Sequence, residues 1–330
     1  MFIYDNSFQL FLTFVYIFSI LSGLILRFFL KNKSPIIKRI PIIVLSILFV
    51  VLEINKQLRN ALGYDYAVLF GMMRGIKGEY SNYGLPFHFC SFFIFLLLLQ
   101  VIFFKKEKVR KVLENLSFLW SSLIVVCTFF DPSAIYGESV PALFQGAGFT
   151  HTILYHSLVI FYFFVSISLE TFHFELKKIW YAPVSIIVYA AIALPAAHLI
   201  NENYCNILSI PNEFLTNIIN KYGYFIYNGL MLITGCVGAT LLYLVISLIQ
   251  IFAKNIVHKN VFSYGIIFLI PTFILILGIG NVVGPEKIQS FYALLLLAGI
   301  ILCLVPGIVM EIKDKQNNKV IKAENSLKNI

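Results

Sequence analysis

The sequence predicts an all-α bundle that crosses a membrane about nine times, with its N-terminus outside and its C-terminus in the cytoplasm. Three observations lead there. Hydrophobic residues make up 59% of the 330-residue chain and charged residues only 12%, against about 25% charged in soluble domains. The apolar residues gather into stretches of about 20, the length a helix needs to cross hydrocarbon. The basic residues collect between alternate stretches, as the positive-inside bias requires.

The segments run roughly over 8–29, 36–54, 85–104, 113–130, 150–172, 179–200, 224–252, 261–283 and 290–310. The first has no basic run before it and no small-residue cleavage site after it, so it reads as a span and not as a cleaved signal. The second is the weakest in pattern, because Lys38 and Arg39 lie near its start and Pro41 follows. The third opens at Leu85-Pro86, and the fourth follows the basic run from Lys105 to Lys111. Helices are expected throughout, since lipid leaves no water to satisfy a backbone and the alternation of barrel strands is missing.

The connections set the orientation. With the N-terminus outside, 19 of the 25 basic residues fall in cytoplasmic segments. These include Arg27, Lys31, Lys33, Lys38 and Arg39, the run from Lys105 to Lys111, Lys177 and Lys178, Lys254 and Lys259, and five lysines after Met310. Only Lys56, Arg59, Arg74, Lys77, Lys221 and Lys287 fall outside. The net charge of +9 is therefore an orientation signal and speaks against nucleic acid as a partner. The expected division is a core bundle over 1–253, two additional spans over 254–310 and a polar cytoplasmic tail over 311–330. The expected location is the cell membrane, multi-pass, with membrane lipids as partners. The five cysteines form no CxxC pair, which argues against a zinc ribbon or a disulfide framework. No cofactor is expected.

Polar and ionisable groups inside membrane helices are costly, so each is a candidate for function. The expected topology sends most of them to the outer face. His88, Cys90 and Ser91 start the third helix, and Asp131 closes the fourth. His151 and His156 lie in the first turns of the fifth. His198 ends the sixth and is followed by Asn201, Glu202, Asn203 and Tyr204. Four of six histidines thus converge from three helices, while His173 and His258 fall on the cytoplasmic side.

The stretch Leu85-Pro86-Phe87-His88-Phe89-Cys90-Ser91 resembles the start of one helix in the YwaF family of bacterial integral membrane proteins. Gly148-Phe149-Thr150-His151 with His156 matches that family's histidine-bearing helix two spans later. Asn201-Glu202-Asn203-Tyr204 with Pro211 matches its polar loop. The resemblance covers roughly residues 36–248. The family's eukaryotic relatives are similar to membrane acyltransferases that remodel phospholipids with a cysteine nucleophile and a histidine. Their cysteine directly precedes the histidine of this motif. Phe87 holds that place here, and Cys90 lies three residues further on.

At about 100° per residue, Cys90 lies about 200° around the helix from His88, and Ser91 about 60°. A Cys90 thiolate would therefore take its histidine from another helix. Acyl transfer needs a nucleophile, a base and oxyanion donors. Cys90 or Ser91 could be the first, with His151 or His156 as the base, Asp131 as an orienting carboxylate and His88 a further catalytic candidate on the face of Ser91. His198, Asn201, Asn203 and Tyr204 could bind substrate. The expected activity is a lipid acyltransferase or acyl hydrolase at the extracytoplasmic face. The alternatives are a small-solute transporter or sensor, and a membrane protein binding metal through His and Asp. The five-residue spacing of His151 and His156 suits one metal poorly, because a shared helix face wants three or four.

Overall fold

The computed structural model describes residues 6–30, 32–62, 64–67, 72–77, 85–130, 147–209 and 213–252, with single residues 312 and 316. Seven helices lie among them: α1 (Asn6–Leu30), α2 (Pro35–Leu62), α3 (Phe89–Ile102), α4 (Glu107–Phe130), α5 (Ala147–Ser168), α6 (Tyr181–Ile200) and α7 (Glu213–Phe252). Five segments are long and apolar enough to cross a membrane: Pro35–Leu58, Glu107–Thr128, His151–Ser168, Leu176–Ile200 and Glu213–Ile251. The eighth and ninth expected spans and most of the polar tail lie outside the described residues.

The seven helices follow the order of the first seven apolar segments, with informative shifts at their ends. Pro41 sits inside α2 without ending it. α3 is the shortest at 14 residues, about 21 Å at 1.5 Å per residue, because Pro86 and an extended His88 delay its start. α7 begins earlier than the apolar stretch, but Gly223 breaks it at φ +79°. Glycine alone takes that conformation without a Cβ penalty, and the break falls where the sequence pattern placed the helix start.

One element is not helical. Tyr64–Ala67 (β1) and Met72–Lys77 (β2) form an antiparallel pair between α2 and α3. The segment is rich in glycine and tyrosine, a composition that favours a hairpin over a helix. β1 packs against α2 and α5.

α5 is the central helix. α1, α2 and α4 pack on it, α3 closes against α2 and α4, and α6 and α7 pair with each other and reach α4. The core is strongly aromatic: Phe118 stacks between Phe163 and Phe172, and Phe89 stacks on Trp120 with centroids 4.2 Å apart.

One end of the bundle is tied by polar bonds. Arg27 donates to the Ser168 carbonyl at 2.8 Å and pairs with Glu170 at 2.7 Å. Arg39 pairs with Glu114 at 2.6 Å. The Asn115 amide makes two bonds to the His173 backbone, at 2.7 and 2.8 Å. The Phe174 N–H reaches Gln250, and the Tyr243 hydroxyl donates to the Glu175 carbonyl at 3.0 Å. The end of α1, the starts of α2 and α4, and the ends of α5 and α7 therefore share one side. α2 and α5 run antiparallel. In the chain just past α5, hydrogen bonds from Lys178 and Lys177 hold the Glu175 carboxyl down at about 2.

Candidate functional site

The opposite end carries the residues the sequence singles out. It is organised around the first turn of α3. His88 occupies the N-cap in extended conformation but makes no side-chain cap. The cap comes from another part of the chain. The Cys205 sulfur accepts the Phe89 N–H, filling one of the donors that every helix start leaves open. Cys205 is placed for this by a costly backbone. It lies at φ +49°, with Asn201 at +58° and Asn206 at +63°. For a residue with a Cβ this conformation costs roughly 1–2 kcal/mol. It persists where the surroundings over-determine it.

Those surroundings are visible. The Asn203 carboxamide accepts from the Leu208 and Ser209 N–H groups and donates back to Ser209. The Tyr227 hydroxyl donates to the Asn206 carbonyl at 2.5 Å. The Tyr189 hydroxyl donates to the Phe87 carbonyl at 3.0 Å. Tyr204 is fully buried, its ring meeting Phe87 at 5.4 Å and His88 at 5.2 Å. Burial pushes the Cys205 thiol up, while the Phe89 N–H and Tyr189 pull the other way.

α5 meets the same turn from the other side. The Tyr155 hydroxyl donates to the Cys90 carbonyl at 2.6 Å. One turn before Tyr155, the His151 ring lies 5.9 Å from its ring. His156 is buried, and its Nδ1 donates to the Thr152 carbonyl at 2.7 Å. A carbonyl only accepts, so the proton sits on Nδ1 and leaves Nε2 as the basic nitrogen of the neutral ring. The Phe49 ring on α2 completes the contact, 5.1 Å from Tyr155.

The candidate residues thus fall into groups. His88 belongs with Tyr204 and the 201–206 loop. Cys90 is joined to His151 and His156 through Tyr155. Ser91 is half-buried on the next residue of α3. His198 turns towards α7, with Asn228 at 3.4 Å and the Tyr224 ring at 5.5 Å. The two first groups share the start of α3, and Tyr227 links the third to the loop. Asn201 ends α6 in a left-handed, exposed conformation, and the amide of Asn203 is engaged in building the loop. Asp131 lies outside the described residues. Among the described residues, no group of three His, Cys, Asp or Glu side chains is arranged to hold a metal ion.

Four side chains at this end do not stand out from the motifs alone: Glu53, Tyr155, Tyr189 and Cys205. Glu53 carries a signal, as the lone acid of the second apolar segment, next to its end. Tyr155 stands four residues from His151, on the same helix face. Tyr189 and Cys205 carry no local signal, because their partners are distant in sequence.

No curated protein and no solved structure matches the chain. A family model does match, over residues 4–243. The match takes in α1, which the sequence resemblance left outside, and covers every helix that builds the site. The chain is a membrane protein and belongs to the TMEM164 family.

Proposed function

We propose that the chain is a lipid-modifying enzyme, an acyltransferase or acyl hydrolase, with its site where α3, α5 and the 201–206 loop meet. The observation that carries this reading is the Tyr155–Cys90 bond. It fastens the turn bearing Cys90 and Ser91 to the helix bearing His151 and His156, which brings a nucleophile and a base onto neighbouring elements. The apolar helices around it would admit acyl chains, and the polar end would face headgroups. In the reaction, the nucleophile's proton passes to a histidine as its sulfur or oxygen bonds the acyl carbon. The ester oxygen leaves and takes that proton back. Histidine suits both steps near neutral pH.

The test is lipid analysis of cells with and without the protein, followed by assay of the purified chain in nanodiscs with acyl-labelled phospholipid. His151→Ala or His156→Ala should lower turnover by about 10²-fold or more with the protein still inserted. Cys90→Ala and Ser91→Ala then separate the two nucleophiles. Unchanged lipids and no turnover by the wild-type chain would sink the proposal and leave solute transport or sensing as the reading.

A further inference from the structure

Glu53 lies in α2, nine residues before the helix ends, and is only 8% exposed. Its Oε1 is well filled: Lys56 Nζ lies at 2.8 Å and the Gln57 amide donates at 2.7 Å. Its Oε2 is buried and has no hydrogen-bond partner among the described residues. A buried carboxylate oxygen left empty costs about 1–3 kcal/mol or more, so what stands opposite it decides what it is for.

The helix geometry answers that. Phe49 on α2 and Tyr155 on α5 touch ring to ring, which sets the register of the two helices. Residues four apart share a helix face. Glu53 is one turn beyond Phe49, and His151 is one turn before Tyr155. Because the two helices are antiparallel, both steps lead towards the same end, each by about 6 Å. Glu53 and His151 therefore stand level across the α2–α5 seam. The intervening Tyr155 cannot fill Oε2, because its single hydroxyl proton is committed to the Cys90 carbonyl. Among the described residues, His151 is the ionisable donor that α5 offers at that level.

We infer that Glu53 and His151 form a carboxylate–histidine pair, in which Glu53 fixes the imidazole's orientation and tautomer and balances its positive charge. The inference rests on reading the α5 histidines as the site, and it gives Glu53 the orienting role that the sequence suggested for Asp131. Glu53 is a positioning residue. In the closed pair one ring nitrogen of His151 donates to Oε2, which leaves the other as the base. The bond is not closed in this structure, as is common for catalytic hydrogen bonds before substrate arrives. Lys56 on Oε1 offsets part of the carboxylate's charge and so limits its pull on the histidine. The other titratable groups placed beside His151 among the described residues are Tyr155 and His156 on α5, and the backbone of β1 packs against both helices.

The experiment is histidine-¹⁵N NMR of the full chain in nanodiscs, with the His151 signal assigned by its loss in His151→Gln. In Glu53→Gln the His151 pKa should fall by about one unit or more, and its tautomer ratio should change. Lys56→Met, which keeps the carboxylate and removes its cation, should raise it. His151 titrating alike in wild type, Glu53→Gln and Lys56→Met would overturn the pair. This readout needs no turnover. A failed lipid assay with a shifted His151 would therefore reject the enzyme and keep the pair. An active enzyme with an unmoved His151 would do the reverse.

Discussion

The Tyr155 hydroxyl and the Cys90 carbonyl, 2.6 Å apart and 65 residues apart in sequence, lock α5 onto the first turn of α3. Tyr155 also carries Phe49 of α2 against one side of its ring and His151 against another. One side chain thus sets the mutual position of three helices at the candidate site.

Tyr155→Phe keeps the ring contacts and removes only the hydroxyl. The loss of one buried hydrogen bond should lower stability by about 1 kcal/mol, read as an earlier midpoint in denaturant-unfolding of the chain in mixed micelles. The turn bearing Cys90 and Ser91 would then be free to shift relative to His151. Lipid turnover should fall more than stability does, since misplacement by about 1 Å can cost 10²-fold in rate. Equal turnover in the variant would show that the α3–α5 bond is structural only.

The spans are legible in the sequence because the bilayer imposes a length and a polarity on each. So are the polar clusters at the helix ends, because a polar residue in hydrocarbon needs a reason to be there. The pairings are another matter. Nothing local foretells that Cys205 caps α3, since a cap is ordinarily a Ser, Thr, Asp or Asn next to the helix. Here it arrives from 116 residues away on a left-handed backbone. Nor does the helical wheel show that His198 turns to α7 while Tyr155 turns to α3. Which neighbour a face meets depends on the packing order of the helices. Glu53 is faint in the sequence because it sits near the end of the segment with the weakest pattern. Its meaning appears only once Phe49 and Tyr155 fix the register.

The orientation of the bundle is expected from charge, and it can be measured directly. The network of Arg27, Arg39, Glu114, Lys177 and Lys178 lies at one end, and that end should be cytoplasmic. A reporter active only in the cytoplasm should work when fused after residue 330. One placed in the 131–146 connection should be active only in its extracytoplasmic form. Cytoplasmic labelling of that connection would reverse the bundle and move the histidine site to the inner leaflet.

Gly23 shows why α1 belongs to the bundle core. A Cβ at this position would lie 2.5 Å from Ser168 Oγ and 3.1 Å from the Phe164 carbonyl oxygen. The serine hydroxyl can rotate away, but the carbonyl is backbone and cannot. α1 and α5 approach this closely because a small residue stands at the crossing, as membrane helix pairs require. Arg27 is one turn further along the same face, and its bonds to Ser168 and Glu170 hold only while the helices stay close. Gly23→Ala adds one methyl group and gains up to about 1 kcal/mol of helix propensity, so its net effect should be small. Gly23→Leu is the decisive variant. Its bulk cannot be accommodated without parting the helices, which should cost about 1–3 kcal/mol plus what the Arg27 bonds lose. Gly229 on α7 supplies the control, because a Cβ there meets nothing within 4 Å and Gly229→Leu should be tolerated. If unfolding midpoints of Gly23→Leu and Gly229→Leu coincide, α1 is not packed on α5 as closely as the structure has it.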